Sequence, residues 1–153
     1  MHRLWLLTWL CFSYAIAKRR RKLHGQALPK AQKQFKNCNN CYAVVAYDIL
    51  KWHKPKVNVT VESLMDDSRQ SCAGGTAKKI WDLYMSKTII TTANLPKLIR
   101  LLKKGPVAIT VERGHLVTAM SASKHGVLVR DPRDAKEKII DKNFFEYVTY
   151  PSM

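Results

Sequence analysis

Cys38-Asn39-Asn40-Cys41-Tyr42-Ala43-Val44-Val45-Ala46 is a turn that runs into an apolar helix. Asparagine side chains favour the turn, and Asn40 is a good helix cap, which puts Cys41 in the first helical turn. A thiol there feels the positive end of the helix dipole, which favours thiolate over thiol. That thiol is a candidate nucleophile if a histidine reaches it. A C-x-x-C pair has two other readings, a zinc knuckle and a redox disulfide.

Working outward, the 153-residue chain is long enough for one domain with a real core. At 46% hydrophobic residues it is globular in class. The formal charge of +16 is uneven. Lys18, Arg19, Arg20, Arg21, Lys22, Lys30, Lys33 and Lys36 fall within residues 18–36, which contain no acid. From residue 37 onward, 18 basic residues face 11 acidic ones, so about half the excess belongs to a short N-terminal arm. Such an arm is solvated or removed in processing, or else meets an anionic partner or membrane surface. No aromatic interleaving and no nucleic-acid module accompany it, which argues against nucleic acid.

Residues 4–17 form an apolar run that ends in Ala15-Ile16-Ala17, a small-residue cleavage pattern. The run is short for a membrane span and fits a signal peptide over residues 1–17. The five consecutive basic residues that follow oppose translocation, so a retained anchor through residues 4–17 is the alternative. A secreted or periplasmic protein is expected, with residues 18–31 as a basic arm and residues 32–153 as the folded domain. Removing the run removes Cys11 and leaves Cys38, Cys41 and Cys72. One disulfide and one free thiol is the simplest solution in an oxidising compartment. His53 is the only nearby further ligand for a metal, at the far end of the same helix, so neither a zinc site nor a cofactor is expected.

Along the chain, residues 41 to about 52 read as an amphipathic helix with Val44, Val45, Ile49 and Trp52 on one side, ended by Lys54-Pro55. Asn58-Val59-Thr60 is a glycosylation sequon. A short helix follows Thr60, a glycine turn follows Cys72, and a second amphipathic helix covers Ala77 to Met85. Thr88 to Thr92 reads as a strand. Asn94 caps a helix with Pro96 in its first turn, and Gly105 closes it. Strand patterns then cover Val107–Val111, Leu116–Met120, Gly126–Val129 and Lys138–Ile140. Asp141 is expected to cap a last helix over residues 144–147. Helices first and a small antiparallel sheet afterwards make an α+β layout.

His115 opens an apolar strand, and Asp131 ends the next one in Val127-Leu128-Val129-Arg130-Asp131-Pro132. On an antiparallel hairpin the start of one strand lies beside the end of its partner. His115 and Asp131 are therefore expected to meet, with the carboxylate orienting the imidazole. Cys41 facing that rim completes nucleophile, base and orienter.

These residues resemble a family. Cys38-Asn39-Asn40-Cys41-Tyr42-Ala43 resembles the C-G-S-C-W-A motif of papain-like cysteine peptidases, whose second Cys is the nucleophile. Val61 to Asp66, Cys72-Ala73-Gly74-Gly75 and Gly105-Pro106-Val107-Ala108-Ile109 resemble its S-E-Q-E-L-L-D, C-N-G-G and G-P-V-S-V segments. The resemblance implies a Cys38–Cys72 disulfide with Cys41 free. The C-terminal half is more similar to the bacteriocin-processing (double-glycine leader) peptidases of the same superfamily. There Gly114-His115-Leu116-Val117, Arg130-Asp131-Pro132 and the segment Ile139 to Phe145 match. The likeness runs from about Gln32 to Tyr147 and implies a papain-like α+β fold.

It also implies peptide hydrolysis through Cys41, His115 and Asp131, with a peptide or protein as substrate and partner. Four features depart from the pattern. Papain-like enzymes place an oxyanion-hole Gln six residues before the nucleophile, but Phe35 stands there. Either Gln34 takes the role, or Gln32 does with Cys38 as nucleophile; the implied disulfide favours Cys41 and Gln34. Tyr42 replaces the usual Trp, and Asp131 stands where papain has Asn. The chain holds no ABC-transporter portion, so the likeness implies nothing about export. The same triad serves toxins and effectors with amidase, deamidase or acyl-transfer chemistry, and a non-enzymatic basic binding module is the remaining competitor.

Overall fold

In the computed structural model, which describes residues 27–143 and 145–152, helix α1 (Cys41–His53) runs through the interior. The expected signal peptide or anchor and most of the basic arm lie outside the described residues, among which no helix is long and apolar enough to cross a membrane. Helix α1 is less amphipathic than its spacing suggests. Tyr42 through Ala46, Asp48, Ile49 and Leu50 are all buried, while Trp52 is only half-buried. Small and β-branched residues on every side let neighbours approach it closely. The indole Nε1 of Trp81, for example, donates to the Ala46 carbonyl at 3.3 Å.

Helices α2 (Val61–Asp67) and α3 (Ala77–Tyr84) pack against α1. The Thr60 hydroxyl accepts from Ser63 N at 3.1 Å and the Ser63 hydroxyl from Thr60 N at 2.9 Å, a reciprocal cap. Strand β1 (Thr88–Thr92) precedes α4 (Leu95–Leu102), which Asn94 caps through Lys97 N at 3.0 Å. Strands β2 (Val107–Val111), β3 (His115–Ser123), β4 (Gly126–Asp131), β5 (Lys136–Ile140) and β6 (Tyr147–Pro151) follow. All pairings are antiparallel, in the order β1-β6-β2-β3-β4-β5.

Strand alternation splits the core into two layers. Val107, Ile109, Val117, Ala119, Val127, Val129 and Val148 pack with Leu98 of α4 on one face. Ala108 packs on the opposite face, in the layer built by α1, α2 and α3. The expected helix over residues 144–147 is not formed among the described residues. Asp141 instead accepts from Asn143 N at 2.8 Å in a turn, and Tyr147 opens β6. Tyr147-Val148-Thr149-Tyr150 is rich in aromatic and β-branched residues, which suit a pleated surface better than a helix.

A buried polar cluster joins α1 to the sheet. Asp48 accepts from the Thr118 hydroxyl at 3.2 Å and from Arg130 Nη1 at 3.3 Å. Arg130 also donates to the Pro29 carbonyl at 2.8 Å and to Glu137 at 3.3 Å. Burial pushes the Asp48 carboxyl up to about 6, against the pull of Arg130 and Thr118. Because the folded value exceeds the unfolded one, this group's contribution is fully present below about pH 4 and is lost as pH rises through about 6. In Asp48→Asn, the slope of unfolding free energy between pH 4 and 7 should flatten by on the order of 2–3 kcal/mol relative to the native protein. Urea unfolding at the two pH values measures it, and parallel slopes would count against the assignment.

Candidate active site

Cys41 is the first residue of α1, as its spacing after the double asparagine requires. Asn40 holds the cap position but not in the expected way. Its Oδ1 accepts from Phe35 N at 3.1 Å and its Nδ2 faces Met65 Sδ at 3.6 Å, so the side chain ties down the preceding loop and makes no cap hydrogen bond. The Asn40 carbonyl accepts from Ala43 N at 3.0 Å and Val44 N at 3.2 Å, so of the first-turn amides it is those of Cys41 and Tyr42 that lack a helix cap.

Cys38 and Cys72 form a disulfide across a separation of 34 residues, and Cys41 is the free cysteine among the described residues. Asn39 N donates to the Cys72 carbonyl at 2.9 Å, and the Tyr42 hydroxyl to the Ser71 carbonyl at 3.0 Å. The Cys72 loop is thus drawn against the start of α1. Gly75 permits this approach, because a Cβ there would lie 2.5 Å from Gln70 Oε1 and 2.6 Å from Tyr42 Cζ.

On the other wall, β2 turns into β3 through Glu112–Gly114, where Arg113 (φ 56°) and Gly114 (φ 76°) are left-handed, and delivers His115. Asp131 ends β4 beside the start of β3, and its Oδ1 lies 2.7 Å from His115 Nε2. With Nε2–H donating to the carboxylate, Nδ1 is the ring nitrogen left for a second partner. Asp131 also accepts from Arg133 N at 3.0 Å and from Lys138 Nζ at 2.5 Å. Burial pushes the Asp131 carboxyl up, but the Lys138 ammonium, the Arg133 amide and His115 outweigh it and hold the group at about 2. Burial lowers His115 below its usual value despite the hydrogen bond and charge of Asp131, and the charges of Arg133 and Lys138 push the same way.

Cys41 and His115 line one cleft of about 570 Å³, a volume in the ordinary range for a ligand site. Gln34 lines it too, held by its backbone N–H donating to the Pro132 carbonyl at 2.8 Å. Its Nε2 donates to the Cys38 carbonyl at 3.3 Å, while its Oε1 is buried with no partner. Gln32 instead donates to the Lys30 carbonyl at 3.4 Å and is not among the lining residues. Among the described residues, no group of three or more His, Cys, Asp or Glu is gathered as a metal site.

Sequence reasoning missed Lys138, which completes the shell of Asp131. It also missed Arg113, Arg133 and Tyr147 in the cleft. The first two adjoin the His and Asp motifs directly, and Tyr147 was hidden by reading its segment as helix.

Among the described residues, four helices pack on a six-stranded antiparallel sheet, with a cysteine at a helix start and a histidine on the facing strand, an α+β fold. The chain has the fold of the peptidase domain of Streptococcus ComA, a bi-functional ABC transporter involved in quorum sensing. The TM-score is 0.63 at 16% identity, covering 80% of this chain and 98% of that one. It also resembles a double glycine motif protease from an AMS/PCAT transporter, solved in complex with the leader peptide. Here the TM-score is 0.61 at 17% identity, covering 81% of this chain and 90% of that one. No protein-family model matches the chain, and no curated protein matches it.

Proposed function

We propose that the protein is a cysteine peptidase whose nucleophile is Cys41. One observation carries the reading: the free thiol at the start of a buried helix shares a cleft with an imidazole hydrogen-bonded to a buried carboxylate. His115 takes the thiol proton, and the thiolate attacks the scissile carbonyl. The oxyanion is held by the Cys41 backbone N–H and by Gln34, once its side chain turns from the Cys38 carbonyl into the cleft; such a donor is typically worth about 3 kcal/mol. His115 then protonates the leaving amine, and water, deprotonated by the same imidazole, releases the acyl group. Asp131 keeps the ring in the tautomer this cycle needs.

The substrate is a peptide segment lying extended in the cleft, a reading that the leader peptide bound to the PCAT protease supports. The protein acts outside the cytoplasm, secreted, periplasmic or anchored through residues 4–17. The apolar N-terminal run and the Cys38–Cys72 disulfide support this location.

The test is hydrolysis of a peptide library read by mass spectrometry, alongside alkylation of the native protein with iodoacetamide. Cleaved peptide bonds and a Cys41 that alkylates readily near neutral pH are expected. Ammonia release without chain cleavage would move the protein to deamidase chemistry. Asp131→Asn should lower kcat/KM on the order of 100-fold. It should also move the acid limb of the pH profile downward, because the imidazole must be unprotonated to take the thiol proton and Asp131 raises the His115 pKa. An unchanged profile would separate Asp131 from the reaction.

A further inference from the structure

We propose that the cleft selects peptides bearing acidic side chains close to the scissile bond, with Arg113 and Arg133 as the selecting residues. This rests on the peptidase reading and adds the substrate class to it. The lining of the cleft contains Lys78, Arg113 and Arg133 and no aspartate or glutamate. Lys78 is offset by Asp82, with which it forms an i,i+4 ion pair on α3. Arg113 and Arg133 have no ion-pair partner among the described residues, and both are exposed. Asp131 is buried and already paired with Lys138 and His115, while Glu112 and Asp134, the exposed chain neighbours of the two arginines, form no ion pair with them and do not line the cleft.

The two guanidinium groups are carried by the segments that fix the His and Asp. Arg113 stands two residues before His115 and Arg133 two residues after Asp131. Arg113 occupies a left-handed backbone position (φ 56°) that glycine or asparagine adopts more easily, so local geometry does not call for arginine there. Arginine's planar fork suits bidentate pairing with a carboxylate. A substrate carboxylate placed near both charges gains roughly tenfold in binding at low salt, since each pair contributes under about 1 kcal/mol in a solvated cleft.

The same field argues against one other occupant. The N-terminal arm, with six basic residues and no acid over residues 18–31, carries the same sign of charge as the acid-free, arginine-bearing lining.

The experiment measures protection of Cys41 from iodoacetamide by acetylated peptides of equal length carrying four glutamates, four glutamines or four lysines. It also measures cleavage of the same peptides. The glutamate peptide should protect about tenfold better than the glutamine peptide at low salt, and that ratio should collapse in R113Q/R133Q. A charge-matched control, K56Q/K124Q, removes two lysines outside the cleft lining and should keep the ratio, which tests the local field against the overall charge of +16. Equal protection by the glutamate and glutamine peptides, or equal loss in both double variants, overturns the proposal. Turnover without charge preference would leave the peptidase reading standing and remove this one. Glutamate-selective protection without turnover of any peptide would remove the peptidase reading and with it the scissile bond, leaving only acidic-peptide binding at Arg113 and Arg133.

Discussion

Cys41→Ala is expected to lower peptide turnover on the order of 10⁵-fold or more, while moving the unfolding midpoint by no more than about 2 °C. The chemical loss is large because nothing else in the cleft can replace the sulfur. Cys38 and Cys72 are consumed in their disulfide, and neither the His115 ring nor its Asp131 partner supplies a nucleophile that forms an equivalent acyl-enzyme. What survives the substitution is the rate that oriented binding and the oxyanion donors give to attack by water. The stability cost is small because Cys41 is only half-buried, at the first position of α1, and its side chain fills no interior space. Initial rates and thermal unfolding on one preparation separate the two effects. Turnover within tenfold of the native rate would exclude Cys41 as nucleophile and reopen the case for Cys38.

The parts of this protein that were legible in its sequence are those in which one short segment determines the outcome. Turn asparagines, an apolar helix, Pro55 and the capping residues Thr60 and Asn94 each act within a few residues, and they placed three of the four described helices closely. The meeting of His115 and Asp131 was legible because a two-strand hairpin leaves little freedom in what its ends bring together. Long-range pairing was harder to see. Strand β6 pairs with β1 and β2, both more than thirty residues earlier, and nothing local to Tyr147-Val148-Thr149 announces those partners. Asp48 looked like one more polar position on a helix, because its partners Thr118 and Arg130 lie 70 and 82 residues away. The cap assigned to Asn40 failed for a related reason. The residue type was right for the position, but Phe35 N and Met65 claim its side chain, and neither claim can be read from capping preference.

Removing the Cys38–Cys72 disulfide, by paired alanine substitution or by reduction, is expected to destabilise the fold by about 4 kcal/mol. That is the chain-entropy cost of releasing a loop of roughly 35 residues. For a domain of this size it corresponds to a fall of about 10–15 °C in the unfolding midpoint. The loss should also reach the cleft before the protein unfolds. The bond ties the loop before α1 to the Cys72-Ala73-Gly74-Gly75 wall, and the remaining direct backbone link there is the Asn39 amide on the Cys72 carbonyl. With only that hydrogen bond and the Tyr42–Ser71 contact left, the wall is held by interactions each worth about 1 kcal/mol. KM should therefore rise more than kcat falls, since Gly74 and Gly75 of the wall line the cleft whereas Cys41, His115 and Asp131 are held by α1 and the sheet. Reduction of the Cys41→Ala protein, which has no other thiol among its described residues, gives the stability term alone. A midpoint that does not move on reduction would mean that packing against Tyr42 and Gln70 already holds the two segments together. The role of the disulfide in the cleft would then have to be abandoned.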